Sequence, residues 1–314
     1  MIKWYKIEDN TIKTTDEENA AIFVVANPNS EEISSLCKEF DLNEHTINSA
    51  LDPDELSRIE FDIVNFSIIF KRPKRYSSND MFLFRVASIG LFIYNAKLII
   101  ILSEELPLFD NKLFNKVGDI KDILLRLLFL SISHFIEHLK VINIISDQLE
   151  EKINASMENK HLINMFALEK SLVYYLNAIQ SNTATIEKMK HLAPKIGFDG
   201  QELEFLDDIT IENQQCFKQA EIYSNVLTGL MDARGSIVNN NLNLLIKRLT
   251  IINVVFMPLN LIAGIGGMSE FSMMTRHIPW QISYSIFALG MLLIGLLFYF
   301  LMRYLSSGSP KNLK

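Results

Sequence analysis

Hydrophobic and polar positions change their spacing along this chain, and each change marks a different kind of element. In the first hundred residues, short apolar runs alternate with turn residues, which predicts strands of an α/β domain. These runs are 21–25, 61–70, 81–93 and 98–102, and Ser30 is predicted to cap a helix after the first run. From 119 to 190 the apolar residues recur three and four positions apart, which predicts long amphipathic helices.

A break at 194–200 separates this helical region from a further helix that begins near Gln201. Gly229 and Gly235 weaken its pattern, but no stop signal precedes Ala263. A helix of that length rarely stands alone and suggests bundling or oligomerisation. We therefore expect three helices after the α/β region, with the last one entering a membrane.

Two stretches near the end of the chain carry no charged side chain, 249–269 and 278–302. At about 1.5 Å per helical residue, each reaches roughly the 30 Å of a bilayer core. The connecting segment, 264–271, is too short for an external domain, so we expect a two-helix transmembrane hairpin. The predicted domains are an α/β domain at 1–118, a helical stalk at 119–242, a transmembrane domain at 243–304 with spans at about 245–265 and 280–302, and a tail at 305–314.

The distribution of charged residues predicts the orientation of the hairpin in the membrane and argues against nucleic acid as a partner. The chain has 37 acidic and 30 basic residues, and no basic stripe interleaved with aromatic residues occurs, so nucleic-acid binding is not expected. Basic residues flank the spans at Lys247, Arg248, Arg303, Lys311 and Lys314, whereas Arg276 in the loop is offset by Glu270. The positive-inside rule then predicts a two-pass protein of the inner (plasma) membrane with both termini in the cytoplasm.

The first span is interrupted by polar and helix-weakening residues that are costly against lipid, namely Asn253, Pro258, Asn260 and Gly264. At spacings of three and four they join a longer stripe: Asn243, Ile246, Leu249, Asn253, Met257, Asn260 and Gly264. Amide rings and apolar rings of this kind suit a cation pore in an oligomer. A helix–helix packing seam with hydrogen-bonded Asn explains the same stripe equally well. The second span has few polar residues and fits a lipid-facing position.

A run at 258–265, followed by Gly267 and Met268, resembles the signature of the CorA metal-ion transporter family. The segments 247–252, 51–55 and 58–60 are similar to the same family. The resemblance implies a CorA-like funnel, a homopentamer whose long helix lines the stalk and pore while the second membrane helix forms an outer ring. It implies a transporter rather than an enzyme, with divalent cations as cargo or regulators, no cofactor, and membrane lipid and further copies of the chain as partners. The family's pore positions fall on the stripe described above.

One departure concerns the outer mouth, Gly267, Met268 and Ser269. The family's triplet ends in Asn and an aromatic usually precedes it, whereas this chain has Gly266 and Ser269 at those positions, a variant that resembles the divergent CmaX-like branch. Because Ser is shorter and presents one oxygen, we expect a wider mouth and altered selectivity for magnesium. Glu270, next to the mouth, either attracts cations or lies at the membrane rim.

Two further features are weaker. By resemblance, Asp208 falls near a regulatory cytoplasmic cation site. His134 to His138 matches an inverted zinc-protease motif, but a polar helix face is the favoured interpretation because no third ligand is recognisable. The predicted function is passive conduction of hydrated divalent cations through a pore lined by the first span. The alternatives are a non-conducting membrane-anchored regulator or scaffold on the same fold, and a membrane-tethered zinc hydrolase.

Overall fold

The computed structural model describes residues 2–62, 65–77, 80–155 and 159–307. The chain divides into two compact units, Met1–Met231 and Asp232–Lys314. The predicted tail at 305–314 lies mostly outside the described residues, as do Lys311 and Lys314 of the charge argument.

A seven-stranded sheet organises the first unit, in the order β2-β1-β3-β7-β6-β5-β4. Neighbouring strands are antiparallel except β3 and β7, which are parallel. The strands are β1 (Ile2–Glu8), β2 (Thr11–Thr14), β3 (Ile22–Ala26), β4 (Arg58–Asp62), β5 (Asn65–Pro73), β6 (Val86–Tyr94) and β7 (Lys97–Leu102). The central strands β3 and β7 are almost wholly buried because helices cover both faces of the sheet.

Two short helices cover one face of this sheet, α1 (Ser30–Phe40) and α2 (Glu44–Leu51). Their buried residues pack with alternate side chains of β3 and β7 in a small core, which includes Phe23, Ile47 and Ile101. A Cβ added at Gly90 of β6 would lie 2.5 Å from the Cβ of Ala50, so the absence of a side chain lets α2 approach the sheet closely.

The opposite face carries the larger core beneath the long helices α3 (Ile120–Ala155) and α4 (Asn159–Ile196). The next helix, α5 (Gly200–Gly266), contains 67 residues. It begins with a reciprocal cap, in which the Glu202 amide donates to Asp199 Oδ1 at 2.8 Å and the Asp199 amide donates to Glu202 Oε2 at 2.7 Å. The chain reverses just before this cap at Gly197, whose φ is +76°.

The second unit holds the end of α5, a short helix α6 (Ser269–Met274) and the helix α7 (Trp280–Ser307). Among the described residues, three helices are long and apolar enough to cross a membrane: Ile120–Ile153, Gly200–Gly266 and Trp280–Met302. Their most apolar windows differ in burial, at 39%, 6% and 0%. Since the apolar side of α3 packs against β5 and α4 in the larger core, we assign α3 to that core. The first part of α5 also contributes to this core, for example through Leu206 and Cys216, so we assign only its apolar C-terminal part, together with α7, to the membrane.

The strand predictions were right in kind and wrong in several bounds. The predicted strand 61–70 is part of two antiparallel strands, β4 and β5, in which Asp62 pairs with Asn65; residues 63–64 lie outside the described residues. The predicted strand 81–93 starts only at Val86, since Met81 and Phe82 adopt φ values of 45° and 66°. Asn29, rather than Ser30, caps α1: its side chain accepts the Glu32 amide at 2.8 Å. The strands β1 and β2, which are the last two strands at one side of the sheet, were not predicted.

Candidate functional site

One face of α5 is covered within the second unit. Between residues 251 and 266, six positions are buried or half-buried, namely Ile251, Val255, Pro258, Leu259, Ile262 and Gly266. All other positions in this range are exposed. At about 100° per residue these six fall on one side of the helix, within an arc of about 100°.

The helix α7 lies against this face. A Cβ built at Gly266 would be 2.4 Å from the Phe287 ring, and a Cβ built at Gly295 would be 3.3 Å from a methyl of Leu259. Each glycine thus receives a large side chain of the other helix, as small residues do where membrane helices approach closely. The more buried positions of α7 also recur at helical spacing and form its matching side: Ser283, Phe287, Gly290, Met291, Ile294, Gly295, Phe298 and Met302.

The predicted pore stripe lies on the opposite side of α5. Its seven positions fall within an arc of about 120°, centred about 180° from the face that α7 covers. All seven stripe residues are exposed in the single chain: Asn243, Ile246, Leu249, Asn253, Met257, Asn260 and Gly264. The exposed fraction is 60% for Leu249 and 77% for Met257. The seam between α5 and α7 therefore leaves out Asn253 and Asn260, so a packing role for these amides would require another copy of the chain.

The mouth segment forms the turn between α5 and α6. The Gly267 amide donates to the Ala263 carbonyl at 3.1 Å, and the Met268 amide donates to the Ile265 carbonyl at 3.1 Å. Ser269 begins α6, and its hydroxyl donates to Glu270 Oε2 at 3.2 Å. The Glu270 carboxylate thus adjoins the Ser269 hydroxyl at this turn, and the roles predicted for the two residues at the mouth stay predictions.

Sequence reasoning missed the contact of Phe287 with Gly266. The residue before the triplet carries no aromatic side chain, yet an aromatic ring from α7 occupies the space that a side chain at 266 would need. The two residues are far apart in the sequence, and a Phe within an apolar helix carries no signal of its partner. The one hint in the sequence was that Gly266 stands where the family usually has an aromatic residue, which leaves a space that another side chain can fill.

Asp208 lies exposed on α5 in the first unit. Its neighbour Asp207 forms an ion pair with Lys190 of α4. Among the described residues, no three His, Cys, Asp or Glu side chains come together in a way that would hold a metal ion. The cation site at Asp208 therefore stays a prediction.

The two histidines of the zinc-like motif are half-buried, and a purely polar helix face is the wrong description of them. His138 Nδ1 lies 2.7 Å from the Tyr175 hydroxyl, and its ring meets Phe84 edge-on at 5.6 Å between centroids. Burial lowers the pKa of His138 to about 4, and the nearby His134 acts in the same direction. Because no third ligand adjoins the pair within the described part of the chain, the hydrolase hypothesis has no structural support.

Comparisons with known proteins agree with this architecture. A cobalt/magnesium transport protein CorA from Methanocaldococcus jannaschii is 25% identical over 252 residues, which cover 77% of each chain. The complete structure of the CorA magnesium transporter from the same organism matches with a TM-score of 0.81 and 22% identity, covering 96% of this chain and 97% of that one. The full-length CmaX structure matches at a TM-score of 0.68 and 12% identity, covering 85% and 86%.

CmaX is thus a structural relative, although the M. jannaschii transporter superposes better and is more similar in sequence. A closer kinship with CmaX, and the meaning of the Gly-Met-Ser triplet, stay predictions. The model of the family described as "CorA-like Mg2+ transporter protein" matches residues 17–303. The chain belongs to this family of divalent-cation transporters, which are inner-membrane proteins with a large cytoplasmic domain and C-terminal transmembrane helices, and not enzymes.

Proposed function

We propose that this chain assembles as a homopentamer in which the exposed stripe of α5 lines a passive path for hydrated divalent cations. The observation that supports this proposal is the position of α7, which covers the face of α5 opposite the stripe. In such an assembly α7 forms the outer ring against lipid, and the stripe faces the axis.

Solvation energetics favour this arrangement over a single chain in lipid. Asn253 and Asn260 carry amides that are costly in hydrocarbon unless they meet water or protein. Two helices cannot enclose a pore, so several copies must place their stripes around a common axis. A ring of five copies follows from the resemblance to CorA transporters.

Amide and apolar rings alternate along the proposed path. The Asn253 and Asn260 rings offer oxygen atoms to the water shell of a cation, and the Leu249 and Met257 rings form narrow apolar segments that hold ions back by excluding water. The membrane potential contributes roughly 4.6 kcal/mol for a divalent ion at 100 mV, inside negative, so conduction needs no other energy source.

The outer mouth would present Ser269 together with Glu270. In a pentamer, five Ser269 hydroxyls and five Glu270 carboxylates would raise the local concentration of cations. They would stand in place of the ring of Asn side chains with which the family's triplet ends. A negative mouth attracts divalent ions generally, so we propose modest discrimination between magnesium and first-row transition ions. On the cytoplasmic side, we propose that Asp208 contributes to a regulatory cation site between copies.

Flux into liposomes that contain the purified protein tests the proposal. Magnesium, cobalt, nickel and zinc are supplied separately, with a fluorescent indicator inside the vesicles and an imposed potential, inside negative. We expect potential-dependent uptake of magnesium and cobalt, the ions in the name of the M. jannaschii relative. No uptake of any of the four ions by a folded, assembled protein would favour the alternative, a non-conducting regulator or scaffold on the same fold.

A further inference from the structure

A cavity of about 390 Å³ lies in the first unit, between the segment after α2, the strands β5 and β6, and α4. Its volume falls within the range of roughly 300–1,000 Å³ that is typical of small-molecule sites. Its chemistry is carried by three cationic side chains, Lys71, Arg85 and Lys170, with Tyr174 and Asn177 beside them.

Positive charge is concentrated at this cavity although the whole chain has a net charge of −7. Among the described residues that line it, Asp54 is the single acidic one. Within the part of the chain that the structure describes, neither Arg85 nor Lys170 forms an ion pair with a carboxylate within 4 Å, although Asp80 interacts electrostatically with Arg85. Lys170 Nζ lies 5.7 Å from the centre of the Tyr174 ring. Two cations are therefore available to a ligand at the rim.

The third cation, Lys71, is held rigidly at the base. The residue is only 4% exposed, and its Nζ donates to the Pro53 carbonyl at 2.8 Å and to Ser88 Oγ at 2.9 Å. An ammonium group has three N–H donors, so one is left over. The Asn182 side chain fixes the backbone of Lys71 from α4, through bonds of 2.8 Å to its amide and 2.9 Å to its carbonyl.

Burial makes the charge of Lys71 costly, which an anion in the cavity would offset. Burial lowers the pKa of Lys71 to about 8, although Asp52, Asp54 and Glu55 act to raise it. Two of these acids have other partners: Glu55 forms an ion pair with Arg58, and Asp52 Oδ1 accepts the Asp54 amide at 2.9 Å. Further negative charge beside Lys71 would therefore favour its protonated form.

From this geometry we propose that the cavity is a binding site for an organic phosphate. The phosphate would lie between Lys71, Arg85 and Lys170, which supply charged donors from β5, from the residue before β6 and from α4. The organic part would contact the Tyr174 ring and the Asn177 amide. The bound ligand would join α4 to the sheet and to the segment after α2. The site is independent of the pore, so either proposal can fail without the other.

Calorimetry on the full-length protein in detergent micelles tests the site, with AMP as the probe. Adenosine serves as the uncharged control and inorganic phosphate as the control without an organic part. We expect AMP to bind, adenosine to bind at least about tenfold more weakly, and inorganic phosphate likewise, because each lacks one set of contacts. Equal affinity for AMP and adenosine, equal affinity for AMP and inorganic phosphate, or no heat with AMP at millimolar concentration would overturn the proposal.

Matched variants locate the binding. Arg85→Gln and Lys170→Gln should each weaken AMP binding about tenfold, since each removes one charged donor. Lys38→Gln makes the same charge change on the exposed side of α1, away from the cavity, and should leave the affinity unchanged. Equal weakening by Lys38→Gln would mean that AMP responds only to the overall charge of the protein, and the site assignment would be wrong.

Discussion

In the first unit, apolar side chains are covered on both faces of a sheet, and even a buried cation such as Lys71 has hydrogen-bond partners. In the second unit, the most apolar window of α7 is 0% buried, and the corresponding window of α5 is 6% buried. The same physical rule governs both, because apolar surface must leave water. The first unit satisfies it within one chain, whereas the second requires lipid and, in the assembly proposed above, further copies of the chain.

This difference makes the surface of the second unit informative. The face of α5 that α7 covers is already shielded from water within one chain. The exposed apolar side of α7 is shielded once it contacts the hydrocarbon of the membrane. The exposed stripe with its two amides needs water or polar protein. The three surfaces therefore have three distinct expected surroundings, and mutations at each should have different consequences.

The largest effect is expected from removing the amides of the stripe. Asn253→Leu and Asn260→Leu should each reduce cation flux into liposomes by at least about a hundredfold, because an apolar ring replaces the oxygen atoms that solvate the ion. Cross-linking should still detect an assembled oligomer. Asn241→Leu makes the same change on the other side of α5, before the membrane segment, and is the matched control. Normal flux through both stripe variants would mean that the stripe is a packing surface.

Substitutions on the face of α5 that α7 covers should change the stability of the protein rather than its ion selectivity. Gly266→Leu places a side chain where the Phe287 ring lies and should cost about 1–3 kcal/mol, as overpacking does. Thermal unfolding in detergent measures the effect. Adding Phe287→Ala should restore most of the loss, because it vacates the same space.

Gly290→Ala is the control for this prediction, since no atom lies within 4 Å of a Cβ added there. It should leave the unfolding temperature nearly unchanged. A loss as large as that of Gly266→Leu, or no recovery in the double variant, would show that the contact between α5 and α7 does not hold this turn.

A smaller effect is expected at the apolar rings. Leu249→Ser should raise basal conductance several-fold in planar bilayers, because a hydroxyl ring lets water enter a segment that otherwise excludes it. Ile252→Ser, on the same helix but outside the stripe, introduces the same hydroxyl and should not raise conductance. Unchanged or lower conductance in Leu249→Ser would argue against a gate at this position.

Periodicity alone identified the stripe, since spacings of three and four place residues on one side of a helix whatever its neighbours are. It also predicted most of the strands and helices in their order along the chain, but it missed β1 and β2, which carry several charged residues, and it joined β4 and β5 into one strand. It could not give the partner of that helix. The contact of Phe287 with Gly266, and the cavity around Lys71, join residues that are distant in sequence. Such contacts arise from tertiary packing, which a one-dimensional pattern does not encode.

The smallest expected effect concerns the mouth, where the hydroxyl of Ser269 donates to the Glu270 carboxylate. A hydroxyl whose proton is engaged in this way contributes at most about 1 kcal/mol, so Ser269→Ala should change selectivity little. Ser269→Asn introduces a carbonyl oxygen into the ring and should increase the preference for magnesium over cobalt by a few-fold. Competition flux assays on the wild type and both variants measure this ratio. If all three select alike, the side chain at 269 does not touch the ion, and the carboxylate of Glu270 or the backbone of the Gly267 turn sets the selectivity of the mouth.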